Sequence, residues 1–278
     1  MSRTGSPSFF GFLLNGIAMK FDAESWMLER GRLGGLDCIV ISPRAGTPKS
    51  LVVLCHGFGA PGSDLVNLAE ELVPILAGES PEEASAPAFL FPEGLLDMSE
   101  DFGVEGPRAW WRINMARLAE LTAASSFDEM RNEVPEGISE ASAALQSCIT
   151  HCLSEKKWEN ATIVLGGFSQ GAMLAVQTAG AYDASKLRGL ILWSGALICE
   201  SDWHAALDGR HRGLDVFQSH GTQDMILPIS TGRSLRGFLE SESMSVDYIE
   251  FAGPHTISYE SIEGAARLID RVLQNASE

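Results

Sequence analysis

Gly166-Gly167-Phe168-Ser169-Gln170-Gly171 follows the apolar run Thr162-Ile163-Val164-Leu165 and opens onto Ala172-Met173-Leu174-Ala175-Val176. A β-rich apolar run, then glycines, then helix formers predicts a strand, a sharp turn and a helix, with a serine at the turn. A serine hydroxyl is a poor nucleophile in ordinary surroundings. A strand-to-helix turn flanked by glycine pushes it out of the backbone, within reach of a base. The same letters also fit a small-residue turn with no chemistry, so the pattern is judged by the partners it requires: an acid and then a histidine further along.

Outward from this turn, the chain alternates. Residues 36–41, 51–55, 88–91, 190–193, 216–219 and 246–251 read as apolar strands. Residues 62–76, 138–152, 230–239 and 257–273 carry apolar residues at helical spacing, with Pro74 expected to close or kink the first. Strands alternating with helices predict an α/β fold, a mostly parallel central sheet with helices on both faces. Residues 93–135 show no clean period and hold Phe102, Trp110, Trp111 and Phe127, which predicts an irregular, lid-like substrate loop. No internal repeat or linker divides the chain, so one domain is expected over residues 1–278, with residues 1–35 as an extension.

The active site of a parallel α/β sheet lies at the carboxyl ends of its strands, so the partners are sought only in loops that follow strands. After Val216-Phe217-Gln218-Ser219 comes His220-Gly221-Thr222-Gln223-Asp224, and after Asp247-Tyr248-Ile249-Glu250-Phe251 comes Ala252-Gly253-Pro254-His255. The order Ser169, Asp224, His255 is the one such an elbow demands. Histidine passes protons near neutrality, and a carboxylate holds its ring in the right tautomer. Asp202 and Asp208 follow an earlier strand and are the reserve acids; Asp215 and Asp247 begin strands, on the wrong edge. His56 and His220 each end a strand before a glycine and read as loop-ordering residues, while His151, His204 and His211 lack a partnered acid pattern. Negative charge developing on a carbonyl oxygen needs backbone N–H donors. The Gln170 amide and the Phe58 amide, in the loop His56-Gly57-Phe58-Gly59-Ala60-Pro61-Gly62, are the expected pair.

With these residues assembled, the chain resembles the phospholipase/carboxylesterase family of serine α/β-hydrolases, which includes the acyl-protein thioesterases. The resemblance is carried by Leu54-Cys55-His56-Gly57-Phe58-Gly59, Phe91-Pro92-Glu93-Gly94, the 163–172 elbow segment, His220 to Asp224 with Leu227-Pro228, and Pro254-His255. It implies an α/β-hydrolase fold, a triad of Ser169, Asp224 and His255, and an oxyanion hole at Phe58 and Gln170. The activity implied is cleavage of a carboxylic ester or thioester through an acyl-enzyme. Trp110, Trp111 and Leu227 are candidate walls of an apolar substrate pocket, with core packing as the competing reading for the tryptophans. Residues 1–35 have no counterpart in the family, and 79–86 reads as an insertion. A dienelactone-hydrolase-like activity and a non-catalytic binding protein of this fold are the alternatives. The first commonly has cysteine where Ser169 stands; the second expects a lost triad member.

Composition narrows the partners. A formal net charge of -17 repels nucleic acid and anionic membranes. No apolar run reaches the roughly 18 residues of a membrane span. Arg3 and the apolar stretch Phe9 to Leu14 loosely resemble an export leader, but the stretch is shorter than the roughly 7–15 residues a leader needs. The five cysteines, Cys38, Cys55, Cys148, Cys152 and Cys199, read as buried free thiols, which suits a reducing, cytoplasmic compartment. Neither a metal nor a cofactor is expected.

Overall fold

The structure, a computed structural model, describes residues 12–14, 17–19, 24–77, 86–124 and 127–275. Residues 1–11 of the possible leader and most of the 79–86 insertion lie outside the described residues. Two short strands, β1 (Phe12–Leu14) and β2 (Ile17–Met19), pair with each other. The main sheet draws on β3 (Trp26–Leu33), β4 (Leu36–Pro43), β5 (Ser50–Cys55) and β6 (Ala88–Pro92). A hairpin of β7 (Leu96–Asp97) and β8 (Arg108–Ala109) follows. The sheet then continues with β9 (Thr162–Phe168), β10 (Leu187–Trp193), β11 (Asp215–Gly221) and β12 (Ser245–Phe251). Its order is β12-β11-β10-β9-β5-β6-β4-β3, parallel from β12 to β6 and antiparallel at β4 and β3.

Eight α-helices accompany the strands among the described residues: α1 (Asn67–Ala77), α2 (Ser99–Phe102), α3 (Met115–Ala124), α4 (Ile138–Lys156), α5 (Gln170–Ala179), α6 (Glu200–Leu207), α7 (Ile229–Ser241) and α8 (Tyr259–Asn275). Alternate residues of each central strand face opposite layers. Val52, Leu54, Val164, Ile191 and Phe217 meet α1 and α8 on one side. Leu51, Val53, Leu165, Leu190, Leu192 and Val216 meet α4, α5, α6 and α7 on the other. Both faces are therefore apolar, and the strands read as continuous buried runs.

Three elements differ from the sequence expectation. Residues 26–33, inside the expected extension, form the edge strand β3, joined to β4 by a two-residue turn at Gly34 and Gly35. Both glycines have positive φ, 57° and 97°, as a tight hairpin of this kind requires. Helix α1 starts at Asn67 and continues past Pro74 to Ala77, so the proline does not end it. The 93–135 stretch contains the β7–β8 hairpin, α2, α3 and a 3-10 helix, Phe127–Asn132, which the aperiodic sequence does not announce.

Candidate active site

Strand β9 runs down the middle of the sheet, between β5 and β10, and delivers Ser169 at its carboxyl end. Ser169 has φ 54° and ψ -114°, a backbone conformation that costs a non-glycine residue about 1–3 kcal/mol. Its N–H donates to the Trp193 carbonyl at 2.9 Å, and its own carbonyl accepts from Ala172 and Met173, which starts α5. The turn is held from both sides, and the side chain stays half-buried at the helix N-terminus.

The turn closes only because α5 lies against the end of β5. A Cβ on Gly171 would stand 2.0 Å from the Cys55 carbonyl oxygen, so no larger residue fits at this crossing.

The loops after β11 and β12 are stitched together. Thr222 N–H donates to the Phe251 carbonyl and Gln223 N–H to the Gly253 carbonyl, both at 2.9 Å. This brings Asp224 to His255: Nδ1 of the ring donates to Oδ2 of the carboxylate at 2.5 Å. The reserve acids lie elsewhere, Asp202 on α6 and Asp208 at its C-cap. The His255 ring packs 4.6 Å from the ring of Phe168, the residue before Ser169. Asp224 is buried, and its other oxygen accepts the Ile226 and Leu227 amides at 2.9 and 2.8 Å. Burial alone would raise its carboxyl; the hydrogen bonds from His220 and His255 outweigh that and hold it well below the usual carboxylate range.

Across from this pair, the loop after β5 carries Phe58. Gly57 lies against Phe168 and Ser169. Gly59 N–H donates to the Arg108 carbonyl and Ala60 N–H to the Gly57 carbonyl. Among the described residues, neither the Phe58 nor the Gln170 amide N–H has a hydrogen-bond partner. These are the two donors the sequence picks out.

His56, read from the sequence as a loop-ordering residue, and Arg108, which had no role there, fix that loop. His56 is buried, with Nδ1 2.8 Å from the Gly57 carbonyl and Nε2 accepting the Gly94 amide at 2.9 Å. Its proton therefore sits on Nδ1, in a neutral ring. Burial pushes its pKa down to about 4, against an upward pull from the Gly57 carbonyl. Arg108 pairs its backbone with Gly59 and Ala60, and its side chain with the Gly94 carbonyl and Asp97.

Trp110 and Trp111, expected as pocket walls, are only 1% and 3% exposed and belong to the larger core. The Trp110 indole N–H donates to the His56 carbonyl at 3.0 Å. The Gln170 side chain, fully buried, accepts the Trp110 amide and donates to the Trp111 carbonyl. The tryptophan segment thus braces the loop and the elbow against each other. Leu227 is also interior, 3% exposed, and its amide serves Asp224. The exposed apolar side chains near the site are others. Phe102, 49% exposed, lies 6.1 Å from the Phe58 ring, and Met225 and Ile226, 80% and 49% exposed, follow Asp224.

The neutral His56 has a pH signature. An unfolded histidine binds a proton below about 6.5, whereas the folded ring does so only near its depressed value of about 4. Its contribution to stability is complete above about pH 6.5 and is lost as the pH falls towards 4. The loss amounts to about 3 kcal/mol over that window, at roughly 1.4 kcal/mol per unit. Urea unfolding of wild type and His56→Gln at pH 7 and pH 5 checks this: the acid-side loss is expected to be smaller in the variant, and equal losses contradict it.

All five cysteines are free and buried, and no group of three or more metal-capable side chains occurs among the described residues. No helix among them is long and apolar enough to cross a membrane.

Known proteins resemble this chain over most of its length. The sequence pattern of the phospholipase/carboxylesterase family matches residues 36–273. Acyl-protein thioesterase 1 of Yarrowia lipolytica is 28% identical over 224 residues, covering 79% of this chain and 90% of that protein. Among solved structures, esterase PE8 superposes with a TM-score of 0.64 at 22% identity, covering 85% of this chain and 99% of its own. Acyl-protein thioesterase 2 of Zea mays does so with a TM-score of 0.60 at 18% identity, over 85% and 98%. At those identities the two structures are likenesses of fold.

Proposed function

The chain belongs to the phospholipase/carboxylesterase family, and from that membership we propose that Ser169, His255 and Asp224 form the catalytic triad of a serine hydrolase cleaving carboxylic ester or thioester bonds. The observation that carries this reading is the His255–Asp224 hydrogen bond, 2.5 Å long, packed beside the strained Ser169 turn.

His255 takes the Ser169 proton on Nε2 as Oγ attacks the substrate carbonyl. Asp224 keeps the ring's other proton on Nδ1 and balances the imidazolium charge. The carbonyl oxygen becomes an oxyanion between the Phe58 and Gln170 amides, each worth about 3–4 kcal/mol to the transition state. Collapse expels the alcohol or thiol with the proton His255 returns to it, leaving an acyl-serine. Water then repeats the sequence: His255 takes its proton, hydroxyl attacks, and Ser169 leaves with that proton. No metal or cofactor enters any step.

The substrate is an acyl compound whose chain lies along apolar side chains. Phe102 over Phe58 on one flank, and Met225 with Ile226 on the other, supply that surface. The net charge of -17 favours neutral acyl groups over anionic ones. Five free thiols are consistent with a cytoplasmic enzyme.

A series of p-nitrophenyl esters from acetate to dodecanoate, with an S-acyl thioester beside it, tests the substrate class. Each buried CH2 contributes about 0.8 kcal/mol, so kcat/KM is expected to rise about fourfold per carbon over the first few carbons. Activity confined to acetate removes the acyl-chain reading, and no hydrolysis of any member removes the activity.

A further inference from the structure

The mechanism above leaves one buried titratable group beside the acid unused. His220 is the penultimate residue of β11 and has no solvent exposure. Its Nε2 lies 2.7 Å from the Leu227 carbonyl oxygen and 3.3 Å from Oδ2 of Asp224. Both neighbours are acceptors, so Nε2 carries the hydrogen and Nδ1 is bare. Nδ1 has no hydrogen-bond partner among the described residues and faces α7, where a Cβ on Gly232 would come within 2.5 Å of it. A buried acceptor without a donor is unfavourable. An apolar side chain of similar bulk would fill the space without that penalty, so the ring's presence is accounted for by its N–H.

That N–H closes a ring of contacts. The Leu227 amide donates to Oδ1 of Asp224, while the Leu227 carbonyl accepts from His220. The same Nε2 reaches Oδ2, the oxygen that receives His255. We propose that His220 is a positioning residue for the acid: one N–H locks the Asp224–Leu227 turn and sets the carboxylate plane in which Oδ2 meets His255. The inference rests on the reading of Asp224 as the triad acid. It assigns His220 no contact with substrate, so its removal acts on kcat and leaves binding alone.

Steady-state hydrolysis of p-nitrophenyl butyrate by wild type, H220Q, H220N and H220L tests this, with S169A as the blank. Glutamine carries an N–H to the place of Nε2. Asparagine reaches only the place of Nδ1, and leucine has no N–H. H220Q is expected to keep kcat within about threefold of wild type, while H220N and H220L lose at least about tenfold with KM within about twofold. Wild-type kcat in H220N and H220L overturns the proposal, as does a fall in H220Q equal to theirs, which would mark a role in shape alone. If H220L does not fold, as judged by circular dichroism, the H220Q–H220N pair decides. A wild type no more active than S169A overturns the triad reading itself, and this inference with it. Normal Ser169-dependent activity with indifferent His220 variants overturns this inference alone.

Discussion

Asparagine in place of Asp224 is expected to lower kcat by roughly 10,000-fold while leaving KM nearly unchanged. The carboxylate has acceptors only, and each is used: Oδ1 by the Ile226 and Leu227 amides, Oδ2 by His255 and, at 3.3 Å, by His220. An asparagine must turn its NH2 group towards one of these donors. Facing the two backbone amides, it sets donors against donors in a buried turn. Facing His255, it meets one close ring nitrogen, whose ring can respond by moving its proton, and the longer His220 contact, whose N–H keeps the Leu227 carbonyl as its acceptor. The second arrangement costs less, and it places the proton on Nε2. A ring protonated there cannot accept the Ser169 hydrogen. Binding is expected to be spared because the Asp224 side chain is fully buried. Kinetics on a p-nitrophenyl ester, with circular dichroism to check folding, measures this; a loss under about tenfold would mean that the acid sets no tautomer.

The second large effect is on the fold itself. Gly171→Ala places a methyl 2.0 Å from the Cys55 carbonyl oxygen and 2.8 Å from that of His56. Both obstacles are backbone at the end of β5, so no side-chain rotation relieves them. Helix α5 must lift from the sheet. It carries Ser169 and the Gln170 amide on its first turn, while β5 leads into the Phe58 loop. Lifting it separates the two proposed oxyanion donors. The expected destabilisation exceeds about 4 kcal/mol, the range reserved for severe steric faults. Whatever folds is expected to lose about a hundredfold or more in kcat, because a displacement of about 1 Å at a catalytic group has that cost. Urea denaturation gives the stability directly. A variant within about 1 kcal/mol of wild type would show that the helix–strand crossing is looser than its geometry implies.

The elbow was legible in the sequence because it is local: a strand, a serine between glycines, and a helix fall within a dozen residues. The meeting of Asp224 with His255 was legible because topology restricts which loops lie together, and few acids or histidines follow the late strands. The bracing of the Phe58 loop was hidden for the opposite reason. Gln170 meets Trp110 and Trp111 across about 60 positions of chain, and Trp110 meets His56 across 54. Nothing in periodicity links such residues. The two tryptophans illustrate the ambiguity: a large aromatic beside a glycine-rich loop suits a pocket wall and a core equally, and here the interior claims both. Strand β3 was missed because an edge strand needs no continuous apolar run. Glu29, Arg30 and Arg32 break its pattern, although Gly34-Gly35 before an apolar run was a hairpin signal in plain view. Pro74, expected to close or kink its helix, does not close it: the helix continues to Ala77.

The triad reading makes Ser169 the one activated nucleophile, and a fluorophosphonate probe interrogates that directly. Incubation of wild type, followed by peptide mass spectrometry, is expected to give a single adduct on Ser169, and Ser169→Ala is expected to give none. Equal labelling of wild type and Ser169→Ala, or an adduct on another residue of the wild-type chain, would contradict the account.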